Sequence, residues 1–301
     1  MIRTSIGLVC VAAMILLGGC GNSAEHQNRE GETTLERIQR TGTIRVGYAN
    51  EAPYAYLNSN TNTLTGEAPD VLRAVMKSMG VKNVEGVLTE FGALIPGLRA
   101  KRFDIIAAGM YITPERCQQI AFSNPSYSIG EAFIVQAGNP KALHSYADVA
   151  THETATLGVM AGAVERGYAQ ASGIPDARIV VFPDAPSGLE AVQIGRVDAF
   201  AGTSLTVRNL LSKAKSTRIE SATPFTDPVI EGKTVRGYGA FGFRKEDSFL
   251  LDRFNGELGA FIGTQEHLAL VAPFGFTENE LPGTVTAAEL CGTVHPAAVS
   301  K

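Results

Sequence analysis

The chain has 301 residues, with 26 Lys and Arg against 30 Asp and Glu and a net charge of −4. It carries no basic stripe, which argues against nucleic acid as a partner, and its five histidines and four cysteines show no zinc spacing. At 45% hydrophobic residues it is long enough for a large core and two lobes, and no Ser/His/Asp set or phosphate loop points to chemistry.

The N-terminus reads as a targeting segment. Arg3 supplies a positive start, and Ile6 to Leu17 is an apolar run too short for a permanent membrane helix. Leu17-Gly18-Gly19-Cys20 then resembles a bacterial lipoprotein signal. The resemblance implies a signal peptide over 1–19 and lipid on Cys20, whereas the plainer reading is an ordinary signal that contains a cysteine. The polar, unpatterned stretch 20–34 reads as a flexible tether. The rest is expected to be soluble, outside the cytoplasm and anchored to the membrane by its first residue. Cys10 leaves with the signal and Cys20 takes the lipid, so Cys117 and Cys291 remain in an oxidising compartment. A disulfide between them is expected; two buried free thiols is the other reading.

Short apolar runs then alternate with amphipathic stretches. Strands are predicted over 43–49, 84–89 and 103–108, and helices over 69–79 (Pro at its start, Gly80 at its end) and 93–101. The rhythm returns with strands over 156–160, 178–182 and 197–201 and helices over 164–172, 187–194 and 205–214. This predicts an α/β fold with mostly parallel sheets flanked by helices. Leu98 to Gly109 reads LRAKRFDIIAAG and Val192 to Gly202 reads VQIGRVDAFAG, so Arg102-x-Asp104 and Arg196-x-Asp198 hold the same place in two units. Two lobes of like architecture are expected. Extended, glycine-spaced runs at 130–137 and 237–243 read as the two crossings of a hinge. That places lobe 1 at 35–136 plus 240–291, lobe 2 at 137–239 and a tail at 292–301, with closing helices over 249–262 and 266–271.

The most informative residues follow the third strand: Gly109, Tyr111, then Ile112-Thr113-Pro114-Glu115-Arg116. An arginine just beyond a buried strand, in a chain without catalytic motifs, reads as a carboxylate clamp, because its planar fork matches a carboxylate in two places. With Ala121-Phe122-Ser123-Asn124-Pro125 after it, this segment resembles the substrate-binding subunits of ABC importers, nearest to the polar amino-acid family. The resemblance covers about 35–291. It implies a type II periplasmic-binding-protein fold with a two-strand hinge, an expected monomer, and an ABC permease as partner. It also implies that Arg116 grips the ligand carboxylate.

Several positions depart from that family. It often has Ser or Thr where this chain has Tyr111, and it holds the α-ammonium with an aspartate where this chain has Thr203. Without that carboxylate a buried primary ammonium lacks its counter-ion. Aromatic residues follow the three strands instead: Tyr54, Phe91 and Tyr111. Loops at the carboxyl ends of parallel strands converge, so these rings are expected to form a cage for a diffuse cation. Within the family this combination, with the runs 49–51, 90–98 and 114–117 and Cys291, most resembles the ectoine- and hydroxyectoine-binding members. The ligand implied is a small zwitterion with no cofactor. Glu51 and the Gly109 carbonyl are implied contacts. From the second lobe the candidates are Val164 and Glu165, where a helix start offers N–H groups to an anion, together with Thr203. A polar amino acid or a betaine is the alternative ligand. A cyclohexadienyl dehydratase-like enzyme, with Glu51 or Glu165 as general acid, is the remote one.

Overall fold

The computed structural model describes residues 29–292. The expected signal peptide, the lipidation at Cys20 and nearly all of the 292–301 tail lie outside the described residues. Residues 20–28 of the expected tether also lie outside the described residues, and its last residues, 33 and 34, belong to the first helix and its cap. Thr33 and Glu36 close a reciprocal capping box on the helix Thr34–Thr41, and the buried Thr34 hydroxyl accepts from Arg244 at 3.3 Å, so packed structure begins at Thr33.

Two sheets form the two lobes. In the first, the order is Asn83–Leu88, Thr43–Tyr48, Ile105–Tyr111, Gly237–Phe243 and Ala121–Phe122, with Tyr127–Ile129 also paired to Gly237–Phe243. In the second it is Ile179–Phe182, Leu157–Met160, Ala199–Thr203, Glu131–Gln136 and Ile219–Ser221. The first three strands of each are parallel, and the crossing strands Gly237–Phe243 and Glu131–Gln136 join them antiparallel. The sheets are therefore mixed rather than mostly parallel throughout. A strand that enters a lobe directly, with no helical crossover, is free to pair antiparallel.

The echo in the sequence has a structural meaning. The Asp104 carboxylate accepts the Arg45 N–H at 3.0 Å, and the Asp104 N–H donates to the Arg45 carbonyl at 2.9 Å. Asp198 repeats both bonds with Thr156, at 2.8 and 3.1 Å. Each aspartate pins the start of the strand beside its own, and so sets the register of a parallel pair in its lobe. Asp104 also holds the buried Arg37 at 2.7 Å.

The predicted helices appear with shifted ends: Glu67–Ser78, Leu94–Arg99, Glu165–Ala171, Ala185–Gln193, Ser204–Ala214, Ser248–Phe261 and Gln265–Val271. Pro69 sits in the first turn, where no N–H is needed, so the helix begins two residues earlier than expected. Val71, Leu72, Val75 and Met76 of that helix are fully buried in one cluster with Phe241, Phe243 and Phe254. Each such side chain contributes about 1.5–3 kcal/mol on burial.

The expected boundary after residue 136 is corrected. Glu131–Gln136 pairs along its length with Ala199–Thr203 and belongs to lobe 2, so the first crossing is at Gly130. The Ser204 N–H donates to the Gly130 carbonyl at 3.0 Å, and a Cβ on Gly130 would meet the Asp227 carboxylate at 2.6 Å. The second crossing enters at Gly237, three residues before the expected start at 240. Cys117 and Cys291 form a disulfide, with Cα atoms 5.7 Å apart and 174 residues between them in sequence. It ties the helix Ala287–Gly292 to Pro114–Gln119, the helix that carries Arg116.

Candidate functional site

All nine residues singled out from the sequence line one cavity between the lobes: Glu51, Tyr54, Phe91, Gly109, Tyr111 and Arg116 from the first, Val164, Glu165 and Thr203 from the second. Met160 and Ala163 complete the wall. The cavity measures about 30 Å³, room for about two waters, so the lobes are closed upon it.

Arg116 is placed by local rules. Thr113 caps its helix, with the side chain accepting the Arg116 N–H at 3.3 Å, and Pro114 fills the first helical position. The guanidinium donates to the Tyr111 carbonyl at 2.7 Å and, across the cleft, to the Gly162 carbonyl at 2.9 Å. Its carbon lies 5.6 Å from the Phe91 ring centre, within cation–π range. Burial pulls the Arg116 pKa down from its usual value.

Tyr54, Phe91 and Tyr111 all line the cavity, and Tyr54 and Tyr111 are backed by a further ring cluster. Tyr54 stacks on Tyr127 with centroids 5.3 Å apart, and Phe276 meets both edge-on. Tyr111 packs edge-on to Tyr127. Gly109 is required where it stands: its φ is +67° and a Cβ would meet the Tyr54 ring at 2.6 Å. Its carbonyl, an implied ligand contact, accepts from the Tyr127 hydroxyl at 2.9 Å. Tyr127 and Phe276 thus back the site without having been singled out as part of it.

A hydrogen-bonded chain latches the lobes. The Tyr54 hydroxyl donates to Thr203 Oγ1 (2.7 Å), Thr203 to Thr206 Oγ1 (3.1 Å), and Thr206 to Glu51 Oε1 (2.8 Å). Thr206 escaped the sequence reading. The signal was its place three residues after Thr203, where the same Thr203 oxygen caps the helix by accepting the Thr206 N–H.

The electrostatics are acid-rich on the second lobe. Glu165 is 5% exposed, and burial, then the Glu51 charge, pushes it up to about 7 against the pull of Arg116. Glu51 also rises to about 7 through burial. Glu131, which the sequence reading did not select, is 4% exposed and is pushed well up by burial and then by Glu165 and Asp227. At the turn 161–165 the Gly162 carbonyl faces Arg116, and the Ala163 N–H is spent on the Met160 carbonyl at 3.2 Å, so this part of the turn presents an acceptor. His267 is buried against Phe261, away from the cavity.

Two lobes joined by two crossings, with a closed polar-aromatic cavity between them, define a bilobed solute receptor. Residues 44–276 match the bacterial extracellular solute-binding proteins, family 3, and the chain belongs to that family. It is 42% identical over 265 residues, 87% of each chain, to a protein of Sinorhizobium fredii named probable amino-acid ABC transporter periplasmic-binding protein y4tE. Among solved structures it resembles EhuB in complex with hydroxyectoine, with a TM-score of 0.77 and 35% identity over 86% of this chain and 98% of that one. It also resembles the ancestral amino acid-binding protein AncCDT-1, a precursor of cyclohexadienyl dehydratase, with a TM-score of 0.69 and 27% identity over 80% of this chain and 99% of that one. The chain is a solute-binding protein of an ABC importer working outside the cytoplasm, and relatives that match three quarters or more of its length are named as binding proteins.

Proposed function

We propose that this receptor captures ectoine or hydroxyectoine, a cyclic zwitterion with a carboxylate beside an amidinium ring, and delivers it to an ABC permease. We also propose that it does so as a monomer held to the membrane by lipid on Cys20. The observation that carries the ligand reading is the Arg116 guanidinium over Phe91 in a cavity whose other walls are Tyr54, Tyr111, Glu51 and Glu165. A carboxylate replaces the carbonyl partners of Arg116. A delocalised cation lies against the rings and reaches Glu51 or Glu165 through its N–H groups. A ring of this size needs more than about 30 Å³, so the lobes part about the crossings for entry and close again with the ligand as a bridge.

One observation favours a second reading, a polar amino acid. Thr203 removes the family's usual counter-ion, yet Glu165 and Glu131 bring buried carboxylates to the same side of the cleft. These would serve a primary ammonium as well as an amidinium. A thermal-shift panel separates the two, since a ligand at 100 times its Kd stabilises by about 2.7 kcal/mol. Ectoine and hydroxyectoine are expected to raise Tm by several degrees, with arginine and glutamate inert. A rise with arginine alone would transfer the assignment to the amino-acid reading.

A further inference from the structure

We propose that Glu131 is a specificity-determining residue of this cleft: together with Glu165 it holds one proton, which the cation of the ligand displaces. This rests on reading the cleft as a zwitterion site, and it adds a proton exchange to the binding step.

Placement comes first. Glu131 is the register partner of Thr203 in the antiparallel ladder, so both side chains leave the same face of the second sheet. Thr203 lines the ligand cavity, and Glu131 lines an adjoining cavity of about 600 Å³ beside the crossings, shared with Ser128, Asp227 and Arg236. Glu165 lines the ligand cavity. The two carboxyls therefore stand between the ligand space and a polar space at the hinge.

Both are unsatisfied. Oε1 of Glu131 and Oε2 of Glu165 are buried without a hydrogen-bond partner, and the remaining bond to Glu131 Oε2, from Tyr146, is long at 3.4 Å. Tyr146, which bonds Glu131, meets the ring of Tyr168 edge-on at 6.0 Å, and Tyr168 lies one helical turn from Glu165, so the two carboxyls are brought to one neighbourhood. Two buried carboxylates placed so, each with an unpaired oxygen, cannot both stay ionised cheaply, and the pair holds a proton until a cation arrives. The surroundings agree. Glu131 is faced by Glu165 and Tyr168 from one helix, Tyr146 from another, Asp227 from the loop after Ile219–Ser221, and Glu51 and Tyr111 from the first lobe. Asp227 is itself engaged, accepting the Glu131 N–H at 2.7 Å and lying 3.8 Å from Arg236. Arg116 lines the ligand cavity together with Glu165, whereas Glu131 lines the hinge-side cavity. The proton is therefore placed on Glu131, from which it leaves through the hinge-side cavity when a ligand cation settles against Glu165. Binding then releases a proton, so affinity climbs with pH while the pair is still protonated.

The test is calorimetry of wild type and Glu131→Gln with ectoine, glycine betaine and arginine, in buffer pairs of different ionisation heat between about pH 6 and 8. For whichever solute binds wild type, the expected result is a release approaching one proton and an affinity rising up to about tenfold per pH unit. In Glu131→Gln the release falls to less than half and the pH slope flattens. An unchanged slope and proton count in the variant overturns the proposal even if ectoine binds tightly. Arginine binding with the expected proton release, and ectoine failing, overturns the ligand assignment and leaves Glu131 in its role. If none of the three binds, ligand-free melts decide. Wild type must lose stability relative to Glu131→Gln as pH rises, because the folded state holds the proton more tightly than the unfolded chain, and parallel curves overturn the proposal.

Discussion

The two halves of the cleft share a topology and carry opposite chemistry. In each lobe an aspartate at the foot of the third parallel strand, Asp104 or Asp198, sets that strand's register with its neighbour through the same pair of bonds. From there the loops diverge. The first lobe follows its third strand with Tyr111 and a capped helix that holds Arg116 over Phe91, backed by the Tyr54–Tyr127–Phe276 stack. The second lobe follows its third strand with Thr203 and Thr206, and flanks them with Glu165 and Glu131. The first half presents arginine and aromatic rings with one carboxyl, Glu51, among them, and the polar groups of the second are hydroxyl and carboxyl. The conserved geometry of the fold sets where side chains arrive, and the residues just past the strand ends decide which charge each half presents. A zwitterion matches that division, its anion turned to the first lobe and its cation toward the second.

Breaking the positive half has the largest expected effect. Arg116→Ala removes the only guanidinium that lines the cavity among the described residues and should weaken ligand binding by about 100-fold or more, the scale of losing one partner from a buried charge pair. Calorimetry with folding checked by melts reads this directly, and an unchanged Kd would remove the clamp from the account. Loosening the support beneath that half comes next. Cys291→Ser frees the C-terminal helix from the Arg116 helix and should cost about 2–4 kcal/mol of stability, read by urea unfolding without reductant.

Glu67 sharpens the comparison, because it is an acid buried in the first lobe. It is 1% exposed, accepts from Ser126 at 2.9 Å and is pushed up to about 8 by burial. Its folded pKa lies above its unfolded value, so the stability it permits is full below about 4.5 and drains away as pH rises to about 8. Glu67→Gln should therefore exceed wild type in stability by an amount that grows by about 1 kcal/mol per pH unit across that window, with the gap closed in acid. The smallest effect is expected from Phe91→Ala, which removes one face from the cation of Arg116 and from the ligand. A loss of binding of about 1 kcal/mol is expected.

Much of this was legible in the sequence because it is local. Alternating periodicity located the parallel strands, and Thr113-Pro114 before Arg116 is a helix start readable letter by letter. Cysteine arithmetic left one pair to join. The nine residues expected at the site share a cavity because loops at the carboxyl ends of parallel strands have only one place to meet. What escaped was non-local. Glu131 sits in an apolar run that reads as a crossing, and only its pairing with Thr203 across the ladder brings its carboxylate to the cleft. Tyr127 and Phe276, 149 residues apart, become one stack through the return of the chain to the first lobe. The hairpin Tyr56–Asn58 with Thr63–Thr65 was also missed, since polar three-residue strands carry no apolar signal.

The measurement that bears most directly on the opposed halves is a calorimetric titration of residues 21–301 with ectoine, followed by arginine into the same protein. The account predicts one-to-one heat with ectoine and none with arginine. Heat with arginine alone, or binding of ectoine that survives in Arg116→Ala, would contradict it.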